Sequence, residues 1–211
     1  MNHKAKFQCD PSMIPHCNKV FKGEYDYIQF PYKDINTIVD IGANAGAFVI
    51  WAAAKWPKAK IHAYEPSREN FAHLKANVEN FELTDRVTIY NKAVSDFVGT
   101  GFLTEPTHNA GDRELKPLIT LGNDVAPKGE EVDVTSIGSV PNCDFMKIDC
   151  EGSEFKIIPA MTQRPRFIAM EFHNIPFSLF AKLIPPYQIW GMNQIVPTLG
   201  TVKLVKDPSR G

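Results

Sequence analysis

The chain has 211 residues and a mass of 23.7 kDa, which favours one domain with extensions over two. Hydrophobic residues make up 44% and charged residues 22%, a globular composition that excludes disorder on a large scale. Lys plus Arg is 23 against 24 for Asp plus Glu, a net charge of −1 with no run of one sign at either end. That balance argues against a nucleic-acid partner and against a membrane surface.

The longest strongly apolar run, residues 45–54, is far shorter than the roughly 20 residues of a membrane span. Residues 1–10 lack the apolar stretch of a signal peptide, so a cytoplasmic location is expected. Cys9, Cys17, Cys143 and Cys150 form no CxxC pair and are expected to be reduced structural thiols. His3, Cys9, His16 and Cys17 have the residue types of a zinc site, but their spacing matches no standard finger.

In chain order, the first twenty or so residues do not read as a regular element. Gly23-Glu24-Tyr25-Asp26-Tyr27 is expected to pack an arm, residues 1–36, against the remaining domain, 37–211. Residues 37–41 form a β-branched run, 42–46 a glycine loop, and 47–56 a small-and-apolar helix stopped by Pro57. Residues 60–64 read as a second strand. Ser67 is a candidate N-cap, and Phe71, Leu74, Val78 and Phe81 recur at helical spacing. A third strand over 86–90 runs on into 91–94, and 97–103, with Gly99 and Gly101 inside it, suggests an extra hairpin or bulged ribbon. Residues 104–131 read as a variable loop, either a substrate lid or disordered. Alternation returns at 131–137, and strands are expected at 143–149 and 166–172. A short helix from Ser153 follows the first of these, and a helix over 176–183 follows the second. Residues 187–196 and 201–205 look like a closing antiparallel pair. Alternating strands and helices imply an α/β fold with a mostly parallel sheet.

In such a sheet, ligands bind beyond the carboxyl ends of the strands. The first strand ends in Asp40-Ile41-Gly42-Ala43-Asn44-Ala45-Gly46. Asn44 stands where a dinucleotide loop wants its second glycine, and Asp40 suits a cationic ligand better than a phosphate, which weakens a pyrophosphate reading. Glu65 ends the second strand, where a carboxylate can accept both hydroxyls of a ribose.

Five ordered blocks carry a resemblance. They are Val39 to Gly46, Ala63-Tyr64-Glu65-Pro66-Ser67-Arg68-Glu69-Asn70-Phe71, Ala93-Val94-Ser95-Asp96, Met146-Lys147-Ile148-Asp149-Cys150-Glu151-Gly152-Ser153-Glu154, and Glu171-Phe172-His173. Together they resemble the FkbM family of S-adenosylmethionine (SAM)-dependent methyltransferases. The resemblance implies a Rossmann-like class I methyltransferase fold, with a seven-stranded sheet whose final strand is reversed, and O-methylation as the commonest activity. Carried over, Asp40, Gly42, Ala43, Asn44 and Gly46 would hold the methionine part of SAM, and Glu65 with Pro66 the ribose. Ala93 and Val94 would meet the adenine edge, with Asn91 a further candidate. Asp149 stands between cofactor and acceptor. Cys150 departs from the family's usual Val or Ile.

The acceptor side rests on Lys147, Asp149, Glu151, Glu171 and His173. Period-2 alternation pairs Lys147 with Asp149, and Glu171 with His173, on common faces. Methyl transfer to a hydroxyl needs alignment and a base, and His173 is the natural base, with Asp149 or Glu151 as substitutes. Lys147 alternatively forms a structural ion pair with Asp149 or Glu171. A further expectation is a divalent metal, magnesium or manganese, on Asp149, Glu171 and His173. The expected partner is a small-molecule or glycan acceptor. The competing readings are an NAD-linked oxidoreductase or epimerase and an inactive SAM-binding module.

Overall fold

The computed structural model describes residues 6–25, 34–117, 128–173, 178, 187–196 and 199–206. The regular elements run α1 (Ile14–Phe21), β1 (Thr37–Ile41), α2 (Ala47–Lys55), β2 (Lys60–Tyr64), α3 (Arg68–Asn80), β3 (Val87–Tyr90), β4 (Ala93–Ser95) and β5 (Gly99–Thr104). They continue with β6 (Leu115–Pro117), β7 (Gly129–Ser136), β8 (Phe145–Ile148), α4 (Glu154–Ala160), β9 (Phe167–Phe172), β10 (Tyr187–Val196) and β11 (Leu199–Lys206).

The main sheet has the order β10-β11-β9-β8-β1-β2-β3, with parallel pairing from β9 through β3 and antiparallel pairing of β11 with both β9 and β10. Period-2 alternation sends Ile38, Ile61, Phe145 and Phe167 to one face, where they pack with Phe48, Val49, Leu74 and Val78 of α2 and α3. Val39, Ile41, Met146, Ile148, Ile168 and Met170 fill the other face with Ile157 and Ile158 of α4. Each fully buried side chain of this size contributes about 1.5–3 kcal/mol, so the strands read as nearly continuous apolar runs. Asp40 and Lys147 interrupt that pattern at one point, and they are register partners on adjacent strands.

Three expectations change. Residues 11–21 are regular: Pro11 and Pro15 sit in the first turns of a 3-10 turn (Pro11–Met13) and of α1, where no backbone N–H is needed, and Asp10 caps the former through Ser12 N–H at 2.8 Å. The 3-10 turn and α1 pack on α2 through Met13, Cys17 and Ala47. The third strand does not run on into 91–94. It breaks at Asn91, and β4 joins a second sheet of order β4-β7-β5-β6, whose own small core is Ala93, Leu103, Leu115, Val132 and Val134. Finally, 104–131 is not one loop, because β6 and the start of β7 lie within it. Residues 118–127 and the expected helix at 176–183, apart from residue 178, lie outside the described residues. The closing antiparallel pair stands as expected.

Candidate active site

A cavity of about 620 Å³ lies at the carboxyl ends of β1, β2, β8 and β9. This is where the topology of an open α/β sheet places a ligand, and the volume is that of a small-molecule site. α1 and the turn after it supply a wall, through His16, Lys19, Glu24 and Tyr25 among others.

The loop after β1 owes its glycines to chain packing. Gly42 has φ +77°, and a Cβ there would sit 1.8 Å from the carbonyl oxygen of Asp149, so the ends of β1 and β8 can touch only through a glycine. Gly46, with φ +87°, packs under Leu74 and does not line the cavity. Between them, Ala43 and Asn44 do line it, and Asn44 adopts φ +50° with its own Oδ1 accepting from Ala45 N–H.

Glu65 closes one end of the cavity. Burial pushes its pKa up to about 7, although Oε1 accepts from Ser67 N–H at 2.9 Å and Oε2 from Asn44 N–H at 2.8 Å. Each oxygen keeps acceptor capacity for a ligand hydroxyl. Pro66, Ala93 and Val94 line the same end. Asn91 does not; its Nδ2 donates to the carbonyls of Glu65 and Pro66 and so shapes the turn that carries the carboxylate.

Lys147 stands at the middle. Its Nζ donates to the Gly42 carbonyl at 2.6 Å and lies 3.3 Å from Asp40 and 3.4 Å from Asp149. Burial opposes its charge, but the two carboxylates outweigh that cost and hold its pKa well above the ordinary lysine value. Asp40 is fully buried and lies behind the cavity wall, so it reaches a ligand only through Lys147. The ion pair thus uses Asp40 and Asp149, and not Glu171.

The far end is acidic: Asp149, Glu151 and Glu171 all line it. Burial is the first cause that lifts Glu151 to about 8 and Glu171 to about 7, and repulsion from Asp149 adds to both. His173 lies just outside the cavity lining. Its Nδ1 is 3.1 Å from Glu154, and its Nε2 is 3.4 Å from Glu151 and 3.8 Å from Glu171. Burial disfavours the imidazolium, yet the hydrogen bond it donates to Glu154 and the surrounding carboxylates push His173 up to about 10. A ring raised so far favours its protonated form at neutral pH, which suits a charged partner for these carboxyls better than the base expected of it. Asp149, Glu171 and His173 each offer one ligand atom, all within 4.8 Å of one another.

Three contributors escaped sequence reading. Glu154, fully buried beneath His173, ends the fourth block of the resemblance and begins a helix, but no role was read for it. Glu24 and Arg113 reach the cavity from the arm and from the segment before β6, which no strand-end rule would indicate. Of the possible zinc set, Cys9 and Cys17 pack together and His16 faces the cavity, while His3 lies outside the described residues.

A parallel sheet whose last paired strand is reversed, with its ligand cavity at the carboxyl edge and an acid at the end of β2, defines a class I methyltransferase fold. The methyltransferase FkbM structure from Methylobacillus flagellatus KT matches it with a TM-score of 0.56 at 16% identity, covering 86% of this chain and 46% of that one. The chain belongs to the methyltransferase FkbM domain family, whose pattern matches residues 40–186. Among curated relatives, the 31-O-demethyl-FK506 methyltransferase FkbM of Streptomyces tacrolimicus is 26% identical over 178 residues, 68% of each chain. The hexuronic acid methyltransferase AglP of Haloferax volcanii is 24% identical over 162 residues, 72% of this chain and 63% of its own. The chain therefore spans about two thirds of the length of these relatives.

Proposed function

We propose that this chain is a SAM-dependent methyltransferase that methylates a hydroxyl oxygen of a small molecule, sugar or natural product. The observation that carries the reading is the distribution of acids in one cavity, with buried Glu65 at one end and Asp149, Glu151 and Glu171 at the other. Glu65 would accept the two ribose hydroxyls, and the backbone at Ala93 and Val94 would meet the adenine edge. When bound, SAM supplies an electrophilic methyl group on a cationic sulfur. The acidic end favours a cation there over a phosphate.

The chain's own part is to align the acceptor and to take its proton. Glu151 and Glu171 have proton affinities near neutral pH, which suits a general base better than an imidazole that is already charged. Lys147 and Asp40 act on the arrangement: they tie the Gly42 carbonyl to Asp149 and so fix the junction between the two ends. Relatives named for a demethylated FK506 and for a hexuronic acid support a small-molecule or sugar acceptor.

A second reading adds a divalent cation. Two carboxylates and an imidazole whose other nitrogen faces a buried acid form a fitting donor set for magnesium or manganese, so Asp149, Glu171 and His173 would hold it. Such an ion would acidify and orient the acceptor hydroxyl. Transfer abolished by chelation and restored by magnesium supports the ion; unchanged transfer removes it.

The test is calorimetric titration with S-adenosylhomocysteine (SAH), followed by transfer of labelled methyl from SAM to a panel of glycosides, polyols and phenols. Micromolar SAH affinity, about −8 kcal/mol, is expected. Binding of NAD in place of SAH would replace this reading with a nicotinamide-linked oxidoreductase or epimerase. SAH binding that survives with no transfer to any acceptor would leave a SAM-binding module.

A further inference from the structure

The loop between β8 and α4 carries Asp149 and Glu151 into the cavity, and its backbone is strained. Glu151 has φ +51° and Gly152 φ +104°, both in the left-handed region, where a non-glycine residue costs about 1 kcal/mol or more. The following helix does little to hold it: α4 has seven residues, Pro159 lies within it, and the Ser153 side chain makes no capping bond.

Lys147 holds the loop at Asp149, and one further side chain holds the turn beyond it. Glu154 is fully buried, its Oε1 accepts from Cys150 N–H at 3.0 Å, and its Oε2 accepts from Gly152 N–H at 2.8 Å. The same Oε1 lies 3.1 Å from Nδ1 of His173, which follows β9. An isolated buried carboxylate is costly, and these three donors are what make it tolerable. An apolar residue at this position would leave the Cys150 and Gly152 N–H groups without these acceptors, so the carboxylate sets the geometry of the loop. With Nδ1 engaged, the imidazole presents Nε2 toward Glu151 and Glu171.

We propose that Glu154 is a positioning residue, a buried carboxylate that locks the loop carrying Asp149 and Glu151, together with the His173 ring, into the arrangement that faces the reacting end of the cavity. The role rests on the methyltransferase reading only for what the cavity end receives; the clamp itself is a property of the fold. Loss of the clamp lets the loop relax out of its left-handed turn and turns Glu151 and Asp149 away from the bound sulfur centre. The loss falls on a ligand with positive sulfur more than on one with neutral sulfur, because only the former is attracted by the carboxyl oxygens of those side chains, whether or not Glu151 holds its proton.

The test compares wild type with Glu154→Gln at pH 7, using SAM and SAH as probes in calorimetry and long-range ¹H–¹⁵N spectra to read the His173 ring nitrogens. Expected in Glu154→Gln are loss of the hydrogen-bonded Nδ1–H signature and a fall in SAM affinity at least about fivefold greater than the fall in SAH affinity. An unchanged His173 signature, or equal weakening of SAM and SAH, overturns the proposal, since a merely structural role would weaken both alike. If Glu154→Gln does not fold, Glu154→Asp replaces it. Its shorter carboxylate cannot reach Cys150 N–H, Gly152 N–H and His173 together, and it is expected to show the same SAM-selective loss; parity between the two ligands again overturns the proposal. A wild-type protein that binds neither ligand overturns the methyltransferase reading, while the ring-nitrogen signature still decides whether the clamp exists.

Discussion

Glu65 shows how much one residue can be made to do by its place at a strand end. Its carboxyl sits near pKa 7 because it is buried, and the two backbone N–H groups offset only part of that cost. Ribose hydroxyls would bond to the ionised form and stabilise it, so ligand binding is expected to expel a proton near neutral pH. SAH affinity should therefore rise between pH 6 and pH 8. Calorimetry in two buffers of different ionisation heat checks the proton count. Glu65→Ala is expected to cost more than about tenfold in SAH affinity at pH 8, corresponding to about 1.4 kcal/mol. The role of Glu65 was legible in the sequence, because a carboxylate after a short β-branched strand needs only local pattern and the strand-end rule. The charge state of His173 was not. It depends on Glu154 at the start of α4 and on Asp149 and Glu151 in the loop before it, and only their convergence on the end of β9 raises its proton affinity.

At the scale of elements, the junction of β1 with β8 is the critical contact. Gly42 lies against the Asp149 carbonyl so closely that any Cβ displaces one strand end from the other. Gly42→Ala is expected to lose at least about 3 kcal/mol, from backbone strain plus the steric clash. In thermal denaturation that is a fall of roughly 6–12 °C for a chain of this size. Gly46→Ala meets mainly the mobile end of Leu74 and should cost clearly less. The glycines were visible in the sequence, but their purpose read as ligand approach, and only the crossing of two distant segments shows otherwise. The N-terminal segment teaches the same lesson. Asn77 of α3, fully buried, exchanges two hydrogen bonds with the Gln8 backbone and gives a third to the Ala45 carbonyl. Such a link between the arm and the loop after β1 leaves no local pattern at either end.

Across the whole molecule, the folded chain gathers acids whose pKa values are raised: Glu65 and Glu171 to about 7 and Glu151 to about 8. Each therefore binds protons more tightly folded than unfolded, and its contribution to stability is present below the ordinary carboxyl pKa and lost as pH rises through these values. His173, raised to about 10, adds stability below its ordinary pKa of about 6.5 that is lost as pH climbs toward 10. All four slopes have the same sign. The melting temperature of the ligand-free protein is expected to fall steadily from pH 5 to pH 9, read by scanning fluorimetry. Glu151→Gln with Glu171→Gln should flatten the part between pH 5 and pH 8. A flat profile in the wild type would show that these carboxyls are ionised freely in the folded chain.

The sequence by itself determined the α/β class, the positions of most strands and helices, and the strand ends at which chemistry gathers. Those follow from local periodicity and from the few residues that punctuate it, and Ser67 capping α3 is a clear instance. The tertiary structure decided the rest. It sent β4 into a second sheet, folded residues 13–25 into a wall of the cavity, withdrew Asp40 behind Lys147, and set buried Glu154 beneath His173. Each of these is settled by groups far apart in the chain meeting in a space with little water. There burial and nearby charge, which no spacing rule records, fix protonation and orientation.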